Sequence, residues 1–228
     1  MNMKILTWNI YFDTLNLEKR TRKIVELVSE TNADIVCFQE VRDKILYVII
    51  DLMLNCGFYL PSAQVQSHRV KSFKYSTLTF VSNKFSNLEI KIIPYIETYM
   101  DRDILETKIN GVSIYNVHLE STNSKQFKIA REKQLESLID LVKKGKSVAC
   151  GDFNITYPIK DNHINEIKLS NTYFSDRFSD SQFSANYDRV IFHNELDCEF
   201  LEYVGNALFE FGYCSDHNGI IFEFKQTT

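Results

Sequence analysis

The sequence predicts an α/β fold: a four-layer α/β sandwich with two mixed, mostly antiparallel sheets flanked by helices. Three observations carry this reading. Apolar runs of strand length alternate with helical stripes in both halves of the chain. Between Tyr75 and His118, strand-like runs follow one another directly, and Asn110-Gly111 is a strong two-residue hairpin signal, so adjacent antiparallel strands are expected. Gly-x-Gly-x-x-Gly and Walker patterns are absent, which places a doubly wound nucleotide-binding sheet second. No linker is visible, so residues 1–228 are read as one domain.

The elements follow in order. Met3 to Ile10 reads as a strand ending in Thr7-Trp8-Asn9. Asn16 is placed as the cap of a helix running from Leu17 to about Thr31, because Leu17, Ile24, Leu27 and Val28 fall at helical spacing and Asn32 can stop it. Ala33 to Phe38 is nearly continuous in apolar residues, the mark of a strand covered on both faces, and it ends in Gln39-Glu40. A helix over Lys44 to Asn55 stops at Cys56-Gly57. Strands are expected at Tyr75 to Ser82, Leu88 to Pro94, Asp103 to Ile109 and Val112 to His118. A long helix from about Lys125 to Lys144 carries one apolar stripe of Phe127, Ala130, Leu135, Leu138, Ile139 and Val142, and Gly145 ends it. Ser147 to Asp152 is a buried strand that turns polar at Gly151-Asp152-Phe153-Asn154. Asn162 to Asp180 is polar and irregular, with a short helix expected near Asn165 to Leu169. Asp188 to His193, Glu199 to Val204 and Gly219 to Phe224 are late strands.

Composition limits the function classes. Hydrophobic content of 44% and charged content of 25% are enough for a sizeable core, and 7 Gly with 3 Pro argue against disorder. A net charge of −4 excludes a globally basic nucleic-acid coat, but not a local site built from carboxylates around a metal. The 5 cysteines contain no Cys-x-x-Cys pair and read as reduced thiols of an intracellular protein, nucleus or cytoplasm not distinguished. No signal segment or membrane-length apolar run is present, so no membrane partner is expected.

The polar residues that bound the apolar runs are Asn9, Glu40, His118, Asp152, Asn154, Asp188, Asp216 and His217. One polar strand end is normally only solvated. This set contains each type that in-line cleavage of a phosphodiester needs: a base near water, a ligand for a hard cation and donors for developing charge. Mg²⁺ keeps several waters and binds through only one or two carboxylates, so Glu40 suffices as principal ligand. Asp152 can take a proton from water, and Asn154, two residues on in an extended segment, can orient that water. His118 and His217 can donate to phosphate oxygens, and Asp216 can fix a histidine tautomer.

Thr7-Trp8-Asn9, Gln39-Glu40-Val41, His118-Leu119-Glu120-Ser121-Thr122, Gly151-Asp152-Phe153-Asn154, Tyr187-Asp188-Arg189-Val190 and Ser215-Asp216-His217 occur in the order found in the endonuclease/exonuclease/phosphatase superfamily. Within it the chain most resembles the 5′-tyrosyl-DNA phosphodiesterases, from Lys4 to Phe224. The resemblance implies Mg²⁺-dependent removal of a topoisomerase-derived tyrosine from a DNA 5′ end, single-stranded or overhanging, leaving a 5′ phosphate, with Mn²⁺ as substitute. It implies that Asn9 and Glu40 lie at the metal and phosphate, with Glu40 the direct ligand. Asp216 and His217 would support the metal–water network and the transition state. Asp152 would activate water with help from Asn154. His118, Ser121, Arg102 and Asp188 would contact substrate, and a monomer would suffice.

The chain departs from that pattern in places. Thr156 stands where an arginine is usual, Asn218 where a Trp is common, and Ser181 to Asn186 offers Phe183 in place of a channel Trp. These changes leave the phosphate chemistry and bear on how the strand is held. A general nuclease or a lipid or inositol phosphatase of the same superfamily is therefore the alternative, and a non-catalytic binding module the third reading.

Other residues have plainer readings. Trp8 reads as core before platform. His68, Arg69, Lys71 and Lys74 read as a solvated loop or a DNA-backbone patch. Lys125, Lys128, Arg131 and Lys133 read as a solvent face of the long helix. Tyr75 and Thr77 need no role beyond their strand, and His163 and His193 read as surface residues.

Overall fold

A computed structural model of the chain describes residues 2–64 and 75–225. The loop that carries His68, Arg69, Lys71 and Lys74 lies outside the described residues. Two six-stranded sheets form the centre. The first contains β1 (Asn2–Asn9), β2 (Ile35–Arg42), β3 (Phe58–Tyr59), β4 (Tyr75–Ser82), β13 (Asp197–Val204) and β14 (Gly219–Lys225), in the order β13-β14-β1-β2-β4-β3. The second contains β5 (Leu88–Pro94), β6 (Asp103–Ile109), β7 (Val112–His118), β8 (Ser147–Asp152), β9 (Ile164–Glu166) and β12 (Asp188–His193), in the order β5-β6-β7-β8-β12-β9. Short strands β10 (Tyr173–Phe174) and β11 (Ser184–Ala185) pair outside both sheets.

Each sheet is antiparallel except for one parallel pair, β1 with β2 in the first and β7 with β8 in the second. A parallel pair needs a long crossover. α1 (Leu17–Glu30) supplies it in the first sheet and α3 (Lys125–Val142) in the second, while α2 (Leu46–Asn55) lies beside α1. The side-chain alternation of strands then sorts the cores. Leu6, Trp8, Val36 and Phe38 face α1 and α2. Met3, Ile5, Ile35 and Cys37 meet Ile114, Val148, Cys150 and Val190 between the sheets. Tyr115, Val117, Ala149 and Ile191 face Leu135, Leu138 and Val142 of α3. The expected four layers are therefore present, in the order helix, sheet, sheet, helix.

A polar clasp crosses the apolar seam at one end. Gln39 Nε2 donates to Asn116 Oδ1 at 2.8 Å and to Thr7 Oγ1 at 3.1 Å, while Asn116 Nδ2 reaches back to the carbonyl of Leu78 at 3.0 Å. Both side chains are fully buried; their amide nitrogens are satisfied, while Gln39 Oε1 has no partner among the described residues.

Several local expectations hold. Asn110 and Gly111 both have positive φ, 51° and 80°, as a hairpin turn of this kind requires. Trp8 is core, with no exposed surface. Others need correction. Asn16 sits at the start of α1 in the left-handed region, makes no side-chain cap, and donates instead to the Phe211 carbonyl. Residues near 165–169 form no helix: Ile164–Glu166 is a strand paired with the edge of β12, and the chain after it is irregular. His193 is buried, and so is Arg131, which turns off the solvent face to hold the carbonyls of Glu120 and Thr122.

Gly151 is required by packing. Its φ is +138°, and a Cβ there would lie 2.0 Å from the backbone oxygen of Val117 on the parallel neighbour. Gly151→Ala should therefore destabilise the protein by about 3 kcal/mol or more through overpacking and backbone strain. Chemical denaturation checks this, and a loss under about 1 kcal/mol would mean the strand can shift aside.

Candidate active site

The C-terminal ends of both parallel pairs lie at the same end of the sandwich, and the polar strand ends meet there. Asn9 ends β1, His118 ends β7 and Asp152 ends β8. β12 runs antiparallel to β8 with Asp188 opposite Asp152, so its first residue arrives at the same place. Ser215-Asp216-His217 immediately precedes β14. Glu40 is delivered by an irregularity. The β2–β4 register shifts between Phe38 and Val41, and Glu40 adopts φ +62°. A non-glycine residue held left-handed within a bulge is a strained feature of the kind that re-aims a functional side chain.

Of these residues, Glu40, His118, Asp152, Asp216 and His217 line a cleft of roughly 470 Å³. Its polar floor is Glu40, His118, Ser121, Asp152, Asn154, Asp216 and His217. Asp152 accepts from Asn9 Nδ2 at 3.0 Å and from the Asn154 amide at 2.9 Å. His118 Nε2 lies 3.5 Å from Asp152 Oδ2 and 3.8 Å from Glu40 Oε1. His217 Nε2 lies 3.8 Å from Asp152 Oδ2 and 3.9 Å from Asp216 Oδ1, while its Nδ1 binds Asp188 at 2.6 Å. Glu40 Oε2 accepts the Phe12 amide at 2.8 Å. Trp8 Nε1 donates to the His217 carbonyl at 3.0 Å, and Ser215 Oγ bridges the Asn9 carbonyl and the His217 amide, so the floor is pinned from below.

The geometry changes several roles. Asp188 is buried beneath His217 and is not on the cleft wall, so it holds that histidine; Asp216, expected to do so, faces the cleft. Asn9 is likewise buried, with Oδ1 taken by the Tyr11 amide, and supports Asp152 without lining the cleft. Arg102 does not line the cleft; it meets Nδ1 of His118 at 2.9 Å behind it. Asn154 is not in an extended segment: its φ is +52° and its side-chain amide donates to the Leu119 carbonyl, although it still borders the cleft.

One wall was not foreseen. Tyr11, Phe12, Tyr173, Phe178, Phe183 and Tyr187 line one side of the cleft. Tyr173 packs edge-on against His217 at 5.1 Å and lies 5.4 Å from the Tyr187 ring. Buried Arg20 holds the loop that carries Tyr11 and Phe12: it donates to the carbonyls of Ile10 and Cys214, both at 3.0 Å, of Leu15 at 2.9 Å and of Tyr11 and Asp13. The density of aromatics in 173–187 was the available signal, hidden by the polar residues around it.

Crowded carboxylates shape the electrostatics. Burial raises the Asp152 and Asp216 carboxyls to about 6 from a usual 3.8, and burial also raises Glu40. Burial opposes a charge on His217, but Asp188, Asp216 and Asp152 outweigh it and lift the ring to about 10. Among the described residues no group of three or more His, Cys, Asp or Glu could hold an ion by protein ligands alone. The donor set fits a hydrated hard cation: Glu40 and Asp216 face the cleft, leaving the remaining positions to water.

Each raised acid binds more protons folded than unfolded, so without divalent ions stability should fall as pH rises from about 4 through 6. The Tm of the chelated protein is expected to be higher at pH 5 than at pH 8, with Asp216→Asn reducing that difference and Mg²⁺ raising Tm mainly at pH 8. A metal-free Tm that climbs steadily to pH 8 would contradict the crowding.

The chain belongs to the Endonuclease/Exonuclease/phosphatase family, whose model matches residues 6–217. It is similar to the 5′-tyrosyl-DNA phosphodiesterase of Caenorhabditis elegans, 30% identical over 125 residues that cover 53% of this chain and 32% of that relative's length. Its fold resembles a crystal structure of TDP2 from C. elegans, with a TM-score of 0.78 at 22% identity, covering 98% of this chain and 75% of that one. The structure of D. rerio TDP2 complexed with single strand DNA product matches with a TM-score of 0.79 at 18% identity, covering 98% of this chain and 99% of that one. The Endonuclease/Exonuclease/phosphatase protein of Bacteroides vulgatus matches with a TM-score of 0.72 at 14% identity over the whole of both chains.

Proposed function

We propose that the protein is a Mg²⁺-dependent phosphodiesterase that releases tyrosine from a 5′-phosphotyrosyl DNA end and leaves a 5′ phosphate, as in DNA repair. The cleft carries this reading: a floor of carboxylates and histidines lies beside an aromatic wall suited to stacked bases or a tyrosyl ring. The match to a curated 5′-tyrosyl-DNA phosphodiesterase supports the substrate class. The chain is taken as one catalytic unit over 1–228, working as a monomer inside the cell, in nucleus or cytoplasm. No helix among the described residues is long and apolar enough to cross a membrane.

Glu40 and Asp216 would hold Mg²⁺, with Mn²⁺ as substitute. The ion would supply positive charge for a phosphate oxygen. Asp152, fixed by Asn9 and the Asn154 amide, takes a proton from water as the water attacks phosphorus in line. The bond from phosphorus to the tyrosine oxygen breaks on the opposite side. A phenol of pKa about 10 is a far better leaving group than an alkyl alcohol, so a dedicated acid is not essential. His217, held protonated by Asp188, and His118 donate to the phosphate oxygens as their charge grows. Ser121, which also lines the cleft, offers a hydroxyl that in this structure donates to Met100 Sδ.

The test offers 5′-tyrosyl single-stranded DNA, an abasic duplex and a phosphoinositide, each with Mg²⁺ or chelator. Tyrosine release is expected; its failure with turnover of either other substrate would favour a different phosphoesterase of the family. Glu40→Gln should raise the Mg²⁺ needed for half-maximal rate by about tenfold or more, since Mg²⁺ relies on so few protein carboxylates. Equal Mg²⁺ titrations for the two proteins would remove Glu40 as ligand.

A further inference from the structure

His118 faces the cleft through Nε2, and its other ring nitrogen meets the Arg102 guanidinium at 2.9 Å. Arginine is a donor only, so this contact fixes which way the ring points and which nitrogen serves the cleft. Arg102 is itself held from behind. Its backbone amide donates to Thr98 Oγ at 2.8 Å, and Thr98 Oγ donates to Glu120 Oε1 at 2.6 Å. The same carboxylate oxygen accepts the amides of Tyr99 at 2.7 Å and Met100 at 3.1 Å, and Gln134 of α3 lies 3.4 Å away. Glu120 is fully buried and its second oxygen has no partner among the described residues, so the contacts shown commit the carboxylate to this one turn. A buried carboxylate with a bare oxygen is costly. Capping a surface turn does not require it, because a serine or asparagine would do.

We propose that Glu120 and Thr98 are positioning residues for the phosphate site: they form a relay, Glu120–Thr98–Arg102–His118, that sets the His118 ring from outside the cleft. The proposal deepens the reading of this site as a phosphodiesterase and rests on that reading for its kinetic arm. Within residues 97–101 the carboxylate gathers the Thr98 hydroxyl and the amides of Tyr99 and Met100, while Glu97 is tied separately to Lys133 and Gln134 and the Tyr99 ring packs against Phe127. Because Glu120 and Thr98 lie outside the cleft and do not touch substrate, cutting the relay at Thr98 should misalign the reacting geometry and leave ground-state binding nearly intact.

Thr98→Val removes both hydrogen bonds of one link at nearly constant volume, and Thr98→Ser restores the hydroxyl. On whichever phosphodiester the protein cuts, tyrosyl DNA or bis(4-nitrophenyl) phosphate, Thr98→Val should lower kcat about tenfold, as a small misplacement does, with KM changed less than about twofold. Thr98→Ser should stay near wild type. The double variant Thr98→Val/Arg102→Met should be no slower than Arg102→Met alone, because both cuts sever one chain. A readout independent of turnover is the ring-nitrogen NMR of His118 in ¹⁵N-histidine-labelled protein, assigned by its loss in His118→Asn. Thr98→Val should move the Nδ1 resonance and Thr98→Ser should not.

Unchanged kcat and an unmoved His118 resonance in Thr98→Val would overturn the relay, as would multiplicative losses in the double variant. If neither phosphodiester is cut, the phosphodiesterase reading fails while the His118 signal still decides the relay. Should Thr98→Val not fold, Thr98→Ala makes the same cut with less bulk.

Discussion

Replacing Asp152 with asparagine is expected to lower kcat by a factor on the order of 10²–10⁴, the usual cost of losing a general base. Asp152 is the centre of the floor, within 4 Å of both cleft histidines. Its two oxygens accept from Asn9 and from the Asn154 amide. Asparagine has one acceptor oxygen, so its amide must face one of those donors, which costs about 1–3 kcal/mol of stability. That loss is small enough to leave a folded protein, and a thermal melt separates it from the catalytic defect. The pH profile carries the sign. Metal-free, the carboxyl titrates near 6 and is a base only above that, and a bound cation pulls it lower. The wild-type kcat/KM should therefore rise with pH to a plateau, with its acid limb at or below about 6, and Asp152→Asn should lose that limb. A variant within about threefold of wild type would mean the water is activated elsewhere.

Arg20→Met is expected to cost about 3 kcal/mol, because the carbonyls of Ile10, Tyr11, Asp13, Leu15 and Cys214 lose their shared donor in a buried place. For a chain of this size that lowers Tm by roughly 6–12 °C. The loop it organises carries Tyr11 and Phe12 on the aromatic wall and gives Glu40 its Phe12 amide. Substrate affinity should therefore weaken along with stability. A Tm shift under about 2 °C would mean that water replaces the guanidinium without loss.

Much of this was legible from residue order. The strand ends could be picked out because apolar runs stop at polar residues, and the Asn110-Gly111 turn fixed one pairing. What sequence could not supply was which strand lies beside which. The resemblance implied that Asp188 would contact substrate; the antiparallel placement of β12 against β8 puts it under His217. Asp216 was assigned the tautomer-fixing role for want of that pairing. Asn154 was placed by strand alternation, but the chain leaves extended geometry just after Asp152. Arg131 was counted with its basic neighbours, though one turn of helix decides whether such a side chain meets water or two carbonyls. The short helix expected near 165–169 failed because so short and polar a stretch gives no periodicity that separates a helix turn from an edge strand.

The Gln39–Asn116 clasp has a mechanical meaning. Glu40 follows one of its members and His118 lies two residues beyond the other, so the two halves of the candidate site belong to separate slabs held together there by the clasp. If the site works as proposed, any creep of one slab over its neighbour would misalign Glu40 against His118. The clasp acts as a dowel, and the sharpness of the chemistry is inherited from the stiffness of that joint.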